Sequence, residues 1–158
     1  MRLILLRHGV AVERDEWHGD DAERPLSKAG IHQATMTLKR VRPLVKAIEI
    51  WTSPWVRARA TAELASAIWK LPLREAPWLA GEAATPKQML EQLATAPDVV
   101  LVGHEPDLGV LAGVLVGGKP VPLAKAGMAV LKGTPEAGAM ELKLLLSPKA
   151  VATIYEMA

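Results

Sequence analysis

The segment Asp98–Val102 constrains the fold more than any other part of the chain, because it contains the unbroken apolar run Val-Val-Leu-Val. A run without alternation is typical of a strand buried on both faces, as in a parallel sheet covered by helices. Two further apolar runs, Arg2–Leu6 and Ile48–Trp51, alternate along the chain with segments of helical periodicity. The pattern predicts an α/β fold: a three-layer α/β/α sandwich whose mixed, mostly parallel sheet carries helices on both faces.

The remaining elements follow from caps, periodicity and prolines. Ser27 is a suitable N-cap for a helix that should end between Pro43 and Lys46. Between that segment and the first strand lies a polar loop, Val12–Arg24, of the kind that often carries function. The other predicted helices and strands are a helix from Ser53-Pro54 through Ile68, a minor strand Leu73–Glu75, helices Pro86–Ala94 and Asp107–Val116, strands Met128–Leu131 and Met140–Leu146, and a last helix beginning at Pro148.

Length and composition limit the class of protein. With 158 residues and 50% hydrophobic content, residues 1–158 should form a single domain. The absence of cysteine points to a reducing cytoplasm and excludes thiolate metal sites. A net charge of +2 does not suggest a nucleic-acid partner, and the longest weakly polar stretch, Leu108–Gly118, is too short for a membrane span. We therefore expect a cytoplasmic protein that binds neither nucleic acid nor membrane.

Three predicted strands end in polar residues that suit anion chemistry. The first strand leads into Arg7-His8-Gly9, the second into Ser53-Pro54 and then Arg57, and the third into Gly103-His104-Glu105-Pro106. Open α/β sheets bind ligands at the carboxyl ends of their strands. A single arginine or histidine after a strand is more often structural, but the coincidence at three strand ends favours a shared phosphate site. The His104-Glu105 pair does not continue as a zinc signature, because Leu108 stands where a second histidine would be needed.

These motifs, in this order, resemble those of the histidine phosphatase superfamily, which has the phosphoglycerate mutase-like fold. The matching segments are Arg7-His8-Gly9, Ser53–Ala58 with Thr61-Ala62, and Val102–Pro106. The shortness of the chain, the segment Glu23–Ser27 and Gly30 further resemble the compact SixA branch, the protein-phosphohistidine phosphatases.

The resemblance implies that His8 is a nucleophile that becomes phosphorylated, without any metal or cofactor. It also implies a set of substrate ligands: Arg7, Arg57 and His104 on the phosphoryl group, Arg24 as a further ligand, and Gly9 and Glu105 as residues that contact the substrate. His8 can attack only through a neutral ring nitrogen, so we expect its other nitrogen to donate to a nearby backbone carbonyl. Arg59 lies about 200° round the helix from Arg57 and should point away from the site.

The candidate for a general acid is Glu82. Larger members of the superfamily use a carboxylic acid to protonate the leaving group, whereas the short branch that this chain resembles lacks an obvious one. That absence fits phosphohistidine, because its P–N bond needs less help to break than an ester does.

The sequence thus predicts a metal-independent phosphatase that acts on phosphohistidine in a protein, such as a histidine-phosphotransfer domain, through phospho-His8. Inorganic phosphate would be the product. One alternative is the same mechanism on a small phosphorylated metabolite, a phosphomonoester. Another is a non-catalytic phosphate-binding module that keeps the pocket without turnover.

Overall fold

The computed structural model describes residues 1–158 and contains one six-stranded sheet and five α-helices. The strands are β1 (Arg2–Arg7), β2 (Glu49–Thr52), β3 (Leu73–Glu75), β4 (Val99–Gly103), β5 (Met128–Gly133) and β6 (Met140–Leu146). The helices are α1 (Lys28–Val41), α2 (Val56–Trp69), α3 (Pro86–Leu93), α4 (Asp107–Val116) and α5 (Pro148–Met157). Each predicted element is present, with ends that differ from the prediction by a few residues at most.

The strands are arranged in the order β3-β2-β4-β1-β5-β6. The neighbours β3, β2, β4 and β1 are parallel, and β5 is antiparallel to both β1 and β6. The predicted mixed and mostly parallel sheet is therefore confirmed. The three strands that carry the polar motifs, β2, β4 and β1, lie side by side, so their carboxyl ends meet at one edge.

Two apolar cores cover the two faces of the sheet, because side chains in a strand alternate between faces. Leu3 and Leu5 of β1 belong to the core beneath α3 and α4, whereas Ile4 and Leu6 belong to the core beneath α1, α2 and α5. In β4 every residue is buried, as the apolar run predicts. These cores make the three-layer sandwich and hold β1 and β4 rigidly at its centre.

The start of α1 lies against the segment that follows β1. Ser27 caps the helix by accepting a hydrogen bond from the Gly30 backbone N–H at 2.9 Å. A Cβ on Gly30 would lie 1.9 Å from the Val10 carbonyl oxygen, so only glycine allows this approach. The contact holds the residues just after His8 against the helix layer.

No helix of the structure is long and apolar enough to cross a bilayer.

Candidate active site

The two histidines predicted at strand ends meet at the carboxyl edge of β1 and β4. The His8 backbone N–H donates to the Gly103 carbonyl at 3.0 Å, which continues the parallel pairing of the two strands beyond Arg7. The imidazole centroids of His8 and His104 are 5.2 Å apart. Both residues are buried, with 6% and 4% of their surface exposed. The edge of the sheet thus brings two imidazole rings next to each other.

The tautomer of His8 is fixed by its neighbour. Nδ1 lies 2.7 Å from the Gly9 carbonyl oxygen, which can only accept, so Nδ1 carries the proton. Nε2 makes no hydrogen bond within the protein. Burial and, to a smaller extent, the charges of Arg57, Arg7 and Arg24 lower the pKa of His8 to about 4, although the hydrogen bond to Gly9 acts in the opposite direction. Near neutral pH the ring is therefore uncharged, with a lone pair on Nε2, as the sequence predicted.

His104 is held from the opposite side. Its Nε2 is 2.8 Å from the Ser53 hydroxyl, and that hydroxyl accepts the Trp55 backbone N–H at 3.1 Å. The hydroxyl has one proton and two lone pairs, so its contact with Nε2 fits either tautomer of His104. His104 Nδ1 is buried and has no partner in the protein. Burial lowers the pKa of His104 to about 3, and the neighbouring His8 contributes.

Three arginines surround the two rings, and each is anchored by a backbone carbonyl. Their Nη1 groups donate to the following oxygens: Arg7 to Leu123 at 2.9 Å, Arg24 to Val12 at 2.7 Å, and Arg57 to Asp21 at 2.6 Å. The Nε groups of Arg7 and Arg57 are buried without a partner. A guanidinium has five N–H groups, so the backbone anchor leaves each arginine further donors, and such donors suit phosphoryl oxygens.

The sequence missed Asp21, which lies between two of these arginines. Its carboxylate accepts from Arg24 Nε at 2.9 Å through Oδ1 and from Arg57 Nη2 at 3.1 Å through Oδ2. The hydrogen bond from Arg24 lowers the pKa of Asp21, and Arg57 adds to the effect. Asp21 was within the polar loop that the sequence singled out, but nothing in the spacing distinguished it from the other acidic residues there.

An open pocket of about 650 Å³ contains these groups. One wall is formed by the polar loop, through Glu13, Arg14, Asp15, Asp21 and Arg24. The opposite side is formed by Trp55, Gly81, Glu82 and the start of α4. The ring centroids of Trp55 and His104 are 4.7 Å apart, and the Arg57 guanidinium carbon lies 4.9 Å from the Trp55 ring centroid. Trp55 thus packs against both groups and restricts their positions.

The candidate acid Glu82 lies at this pocket together with a second carboxylate, Asp107, which the sequence analysis did not consider. The Glu82 backbone N–H donates to Asp107 Oδ2 at 2.8 Å, and Glu82 adopts a left-handed backbone with φ of 56°. Burial raises the pKa of Asp107. A Cβ on Gly81 would lie 2.5 Å from the Trp55 ring, so the turn that presents Glu82 requires glycine beside it. Asp107 thus anchors that turn to α4.

Gly9 and Glu105, predicted to contact substrate, are occupied by internal contacts. The Gly9 N–H donates to the Thr61 hydroxyl at 3.0 Å, and Thr61 in turn donates to the Arg57 carbonyl at 2.8 Å. Glu105 lines the pocket, but its Oε1 accepts the Leu123 N–H at 3.3 Å. Through these contacts both residues hold neighbouring segments of the site in position. Thr61 was part of the recognised motif, but its link between α2 and the His8 segment was not predicted.

Arg59 lies outside the pocket, as its angular position on α2 predicts. Its side chain is 54% exposed and pairs with Glu63 at 3.1 Å and with Glu75. The two arginines of the motif therefore have separate environments, one in the site and one on the surface.

Comparison with known proteins decides the family. The family model described as the histidine phosphatase superfamily (branch 1) matches residues 3–81, which include β1 and α2 with their motifs. The chain belongs to the histidine phosphatase superfamily. An uncharacterised protein from Picosynechococcus sp. (strain ATCC 27264 / PCC 7002 / PR-6) is 37% identical over 164 residues, covering 94% of this chain and 98% of that protein. Membership of this superfamily supports phosphatase activity, with a phosphorylated substrate and phosphate as product.

Solved structures share the fold along nearly the whole chain. The protein histidine phosphatase SixA complexed with tungstate superimposes with a TM-score of 0.83 and 22% identity, covering 94% of this chain and 98% of that one. A putative phosphohistidine phosphatase SixA from Agrobacterium tumefaciens superimposes with a TM-score of 0.79 and 22% sequence identity, covering 93% of this chain and 97% of that one. The mycobacterial glucosyl-3-phosphoglycerate phosphatase superimposes with a TM-score of 0.68 and 17% sequence identity, covering 90% of this chain and 97% of that one. The phosphoglycerate mutase-like fold expected from the motifs is thus confirmed.

Proposed function

We propose that this protein hydrolyses phosphohistidine carried by another protein, through a covalent phospho-His8 intermediate. The observation that carries the proposal is the state of His8: a buried, neutral imidazole whose Nδ1 is held by the Gly9 carbonyl and whose Nε2 faces the pocket. A nucleophile of this kind needs its lone pair fixed in direction and its attack compensated by positive charge.

In the first step the Nε2 lone pair attacks phosphorus while the bond from phosphorus to the leaving nitrogen breaks. The departing nitrogen takes the electron pair of that bond. When the substrate imidazole is protonated on its other nitrogen, it leaves as a neutral ring and requires no acid. In the second step water attacks the phosphorus of phospho-His8, inorganic phosphate is released, and the His8 lone pair is restored.

The cations of the site have the roles that phosphoryl transfer requires. The charge that spreads over the three equatorial oxygens is stabilised by Arg7, Arg24 and Arg57. His104 lines the pocket beside them as a neutral ring. Because these groups supply the positive charge, the proposed mechanism includes no metal ion.

The rim of the pocket supports an imidazole leaving group. Four carboxylates, those of Glu13, Asp15, Glu82 and Asp107, lie among its lining residues, beside the cations of Arg14 and Lys125. Carboxylates favour a leaving ring that is protonated and disfavour substrates that carry a second anionic group. The likeness in fold to SixA, a protein histidine phosphatase, supports the same substrate class.

Turnover tests the proposal directly. The purified protein should release phosphate from a phosphorylated histidine-phosphotransfer domain with a kcat/KM at least about 100-fold above that for a panel of sugar phosphates, a difference of about 3 kcal/mol in transition-state binding. The His8→Ala variant is the control and should release none. Phosphate binding without release from any substrate would instead indicate a non-catalytic module, and preference for a sugar phosphate would contradict the substrate assignment.

A small phosphomonoester is the second candidate, favoured by the two carboxylates at the pocket. Glu82 and Asp107 line the pocket, and a carboxylic acid is the group that would protonate an alkoxide leaving group. Proteins of the same fold include the glucosyl-3-phosphoglycerate phosphatase and a phosphoserine phosphatase from Entamoeba histolytica. Under this candidate, Glu82→Gln or Asp107→Asn should lower kcat on the ester by on the order of 10²-fold or more. Under the phosphohistidine proposal, both variants should retain kcat within a few-fold.

A further inference from the structure

The Asp21 carboxylate lies where it touches two cations that the proposed function assigns to phosphate. Through Oδ1 it accepts from Arg24 Nε, and through Oδ2 it accepts from Arg57 Nη2. A carboxylate in such a fork makes the same charge-assisted hydrogen bonds that a phosphoryl group makes. Two roles are therefore open to Asp21: it either orients the arginines for substrate, or it competes with substrate for them.

The hydrogen bonds that anchor Arg24 and Arg57 favour the second role, competition with substrate. Arg57 is held by the backbone carbonyl of Asp21, and Arg24 is held by the backbone carbonyl of Val12. Neither anchor involves the Asp21 side chain, so both guanidiniums keep a fixed contact when that side chain moves away. The carboxylate instead takes one further N–H group from each arginine, Arg24 Nε and Arg57 Nη2, and a phosphoryl oxygen can accept from the same groups.

The exposure of the three side chains also favours competition with substrate. The side chains of Arg24 and Arg57 are 10% and 4% exposed, whereas the Asp21 side chain is 42% exposed. The carboxylate thus lies on the solvent side of the pair. An ion pair with one partner in water is weak, so an arriving dianion can displace the carboxylate into solvent.

We infer that the Asp21 carboxylate is a built-in competitor of phosphate for Arg24 and Arg57, and that it sets the affinity of the site for phosphoryl groups and promotes release of the phosphate product. The inference rests on the proposed function in taking these two arginines as phosphate ligands. Its consequence is that removing the carboxylate tightens phosphate binding, whereas loss of an orienting residue would weaken it.

Asp15 offers a matched control. It is an exposed aspartate that lines the same pocket, and it makes no ion pair or side-chain hydrogen bond. Asp15→Asn removes one negative charge from the pocket without freeing any arginine N–H. If the loss of one negative charge alone strengthens phosphate binding, Asp15→Asn and the Asp21 variants should bind phosphate equally well. Tighter binding by the Asp21 variants than by Asp15→Asn therefore measures the competition for the arginines.

The experiment measures binding of inorganic phosphate by two-dimensional NMR titration, which needs no turnover and suits a 17.0 kDa protein. We expect Asp21→Ala and Asp21→Asn to lower the Kd for phosphate about tenfold relative to Asp15→Asn, the size of one hydrogen bond to a charged group. Wild-type-like thermal unfolding of each variant excludes misfolding as a cause of altered binding.

Unchanged or weaker phosphate binding in both Asp21 variants would overturn the inference and leave the proposed function standing, because the wild type would still bind phosphate. If none of the four proteins binds phosphate, both the inference and the proposed phosphate site are wrong. Product inhibition provides a second readout: with a working substrate, inhibition by phosphate should be stronger in Asp21→Ala than in Asp15→Asn.

Discussion

The buried neutral histidines make the stability of the folded protein depend on pH between about 6.5 and 4. The pKa of His8 falls from 6.5 to about 4 on folding, chiefly through burial. In this window the unfolded chain therefore binds more protons than the folded chain. By proton linkage, stability is fully present above pH 6.5 and decreases as the pH falls toward 4.

The size of the effect follows from the shift. For His8 alone, a folded pKa of about 4 against an unfolded value of 6.5 costs about 2 kcal/mol at pH 5 and about 3 kcal/mol at pH 4. His8→Gln removes this contribution, so the variant should lose less stability than the wild type on going from pH 7 to pH 5. The expected difference between the two losses is about 2 kcal/mol.

Urea unfolding in phosphate-free buffer at pH 7, 6 and 5 measures the difference, since carboxylate titration affects both proteins alike. His32→Gln is the matched control, because it makes the same substitution at an exposed position of α1 and should follow the wild type. Parallel pH profiles for wild type and His8→Gln, within about 0.5 kcal/mol, would refute a buried neutral His8.

Three further outcomes follow from the site. Thr61→Val removes the hydroxyl that joins the Gly9 N–H to the Arg57 carbonyl, and urea unfolding should show a loss of about 1–3 kcal/mol, whereas no loss would contradict that link. Arg57→Ala should lower kcat/KM by on the order of 100-fold in a phosphate-release assay. Arg59→Ala, on the solvent side of α2, should keep kcat/KM within about twofold of the wild-type value. Equal effects of the two substitutions would contradict the assignment of Arg57 alone to the site. Dialysis against EDTA should leave phosphate release unchanged, because arginines supply the positive charge, and a loss restored by a divalent cation would contradict the mechanism.

The layout of the fold could be predicted because it depends on local patterns. The apolar run in β4 identified a central strand, and parallel strands place their carboxyl ends at a common edge. Arg7, His8 and His104 follow directly from that rule, since each stands at or just after such an end. Arg57 is the second residue of α2, the helix that follows β2, so its direction was also set by local structure.

The contacts that tune the site could not be predicted, because they join residues distant in sequence. Asp21 meets Arg57 across 36 positions, and Ser53 meets His104 across 51. A loop such as residues 12–24 has no periodicity from which its path could be derived. The Gly9 N–H likewise donates to Thr61, which lies 52 positions further along the chain.

The measurement that tests the account most directly is the chemical identity of the phosphorylated residue. Brief incubation with phosphohistidine substrate, followed by alkaline quenching and peptide mass spectrometry, should place an acid-labile phosphoryl group on His8. Phosphorus NMR should assign that group to Nε2, because Nδ1 is occupied by the Gly9 carbonyl. His8→Ala should abolish the label, and His104→Ala should retain it at a reduced rate. A label on any other residue, a label on Nδ1, or turnover by His8→Ala would contradict the central claim.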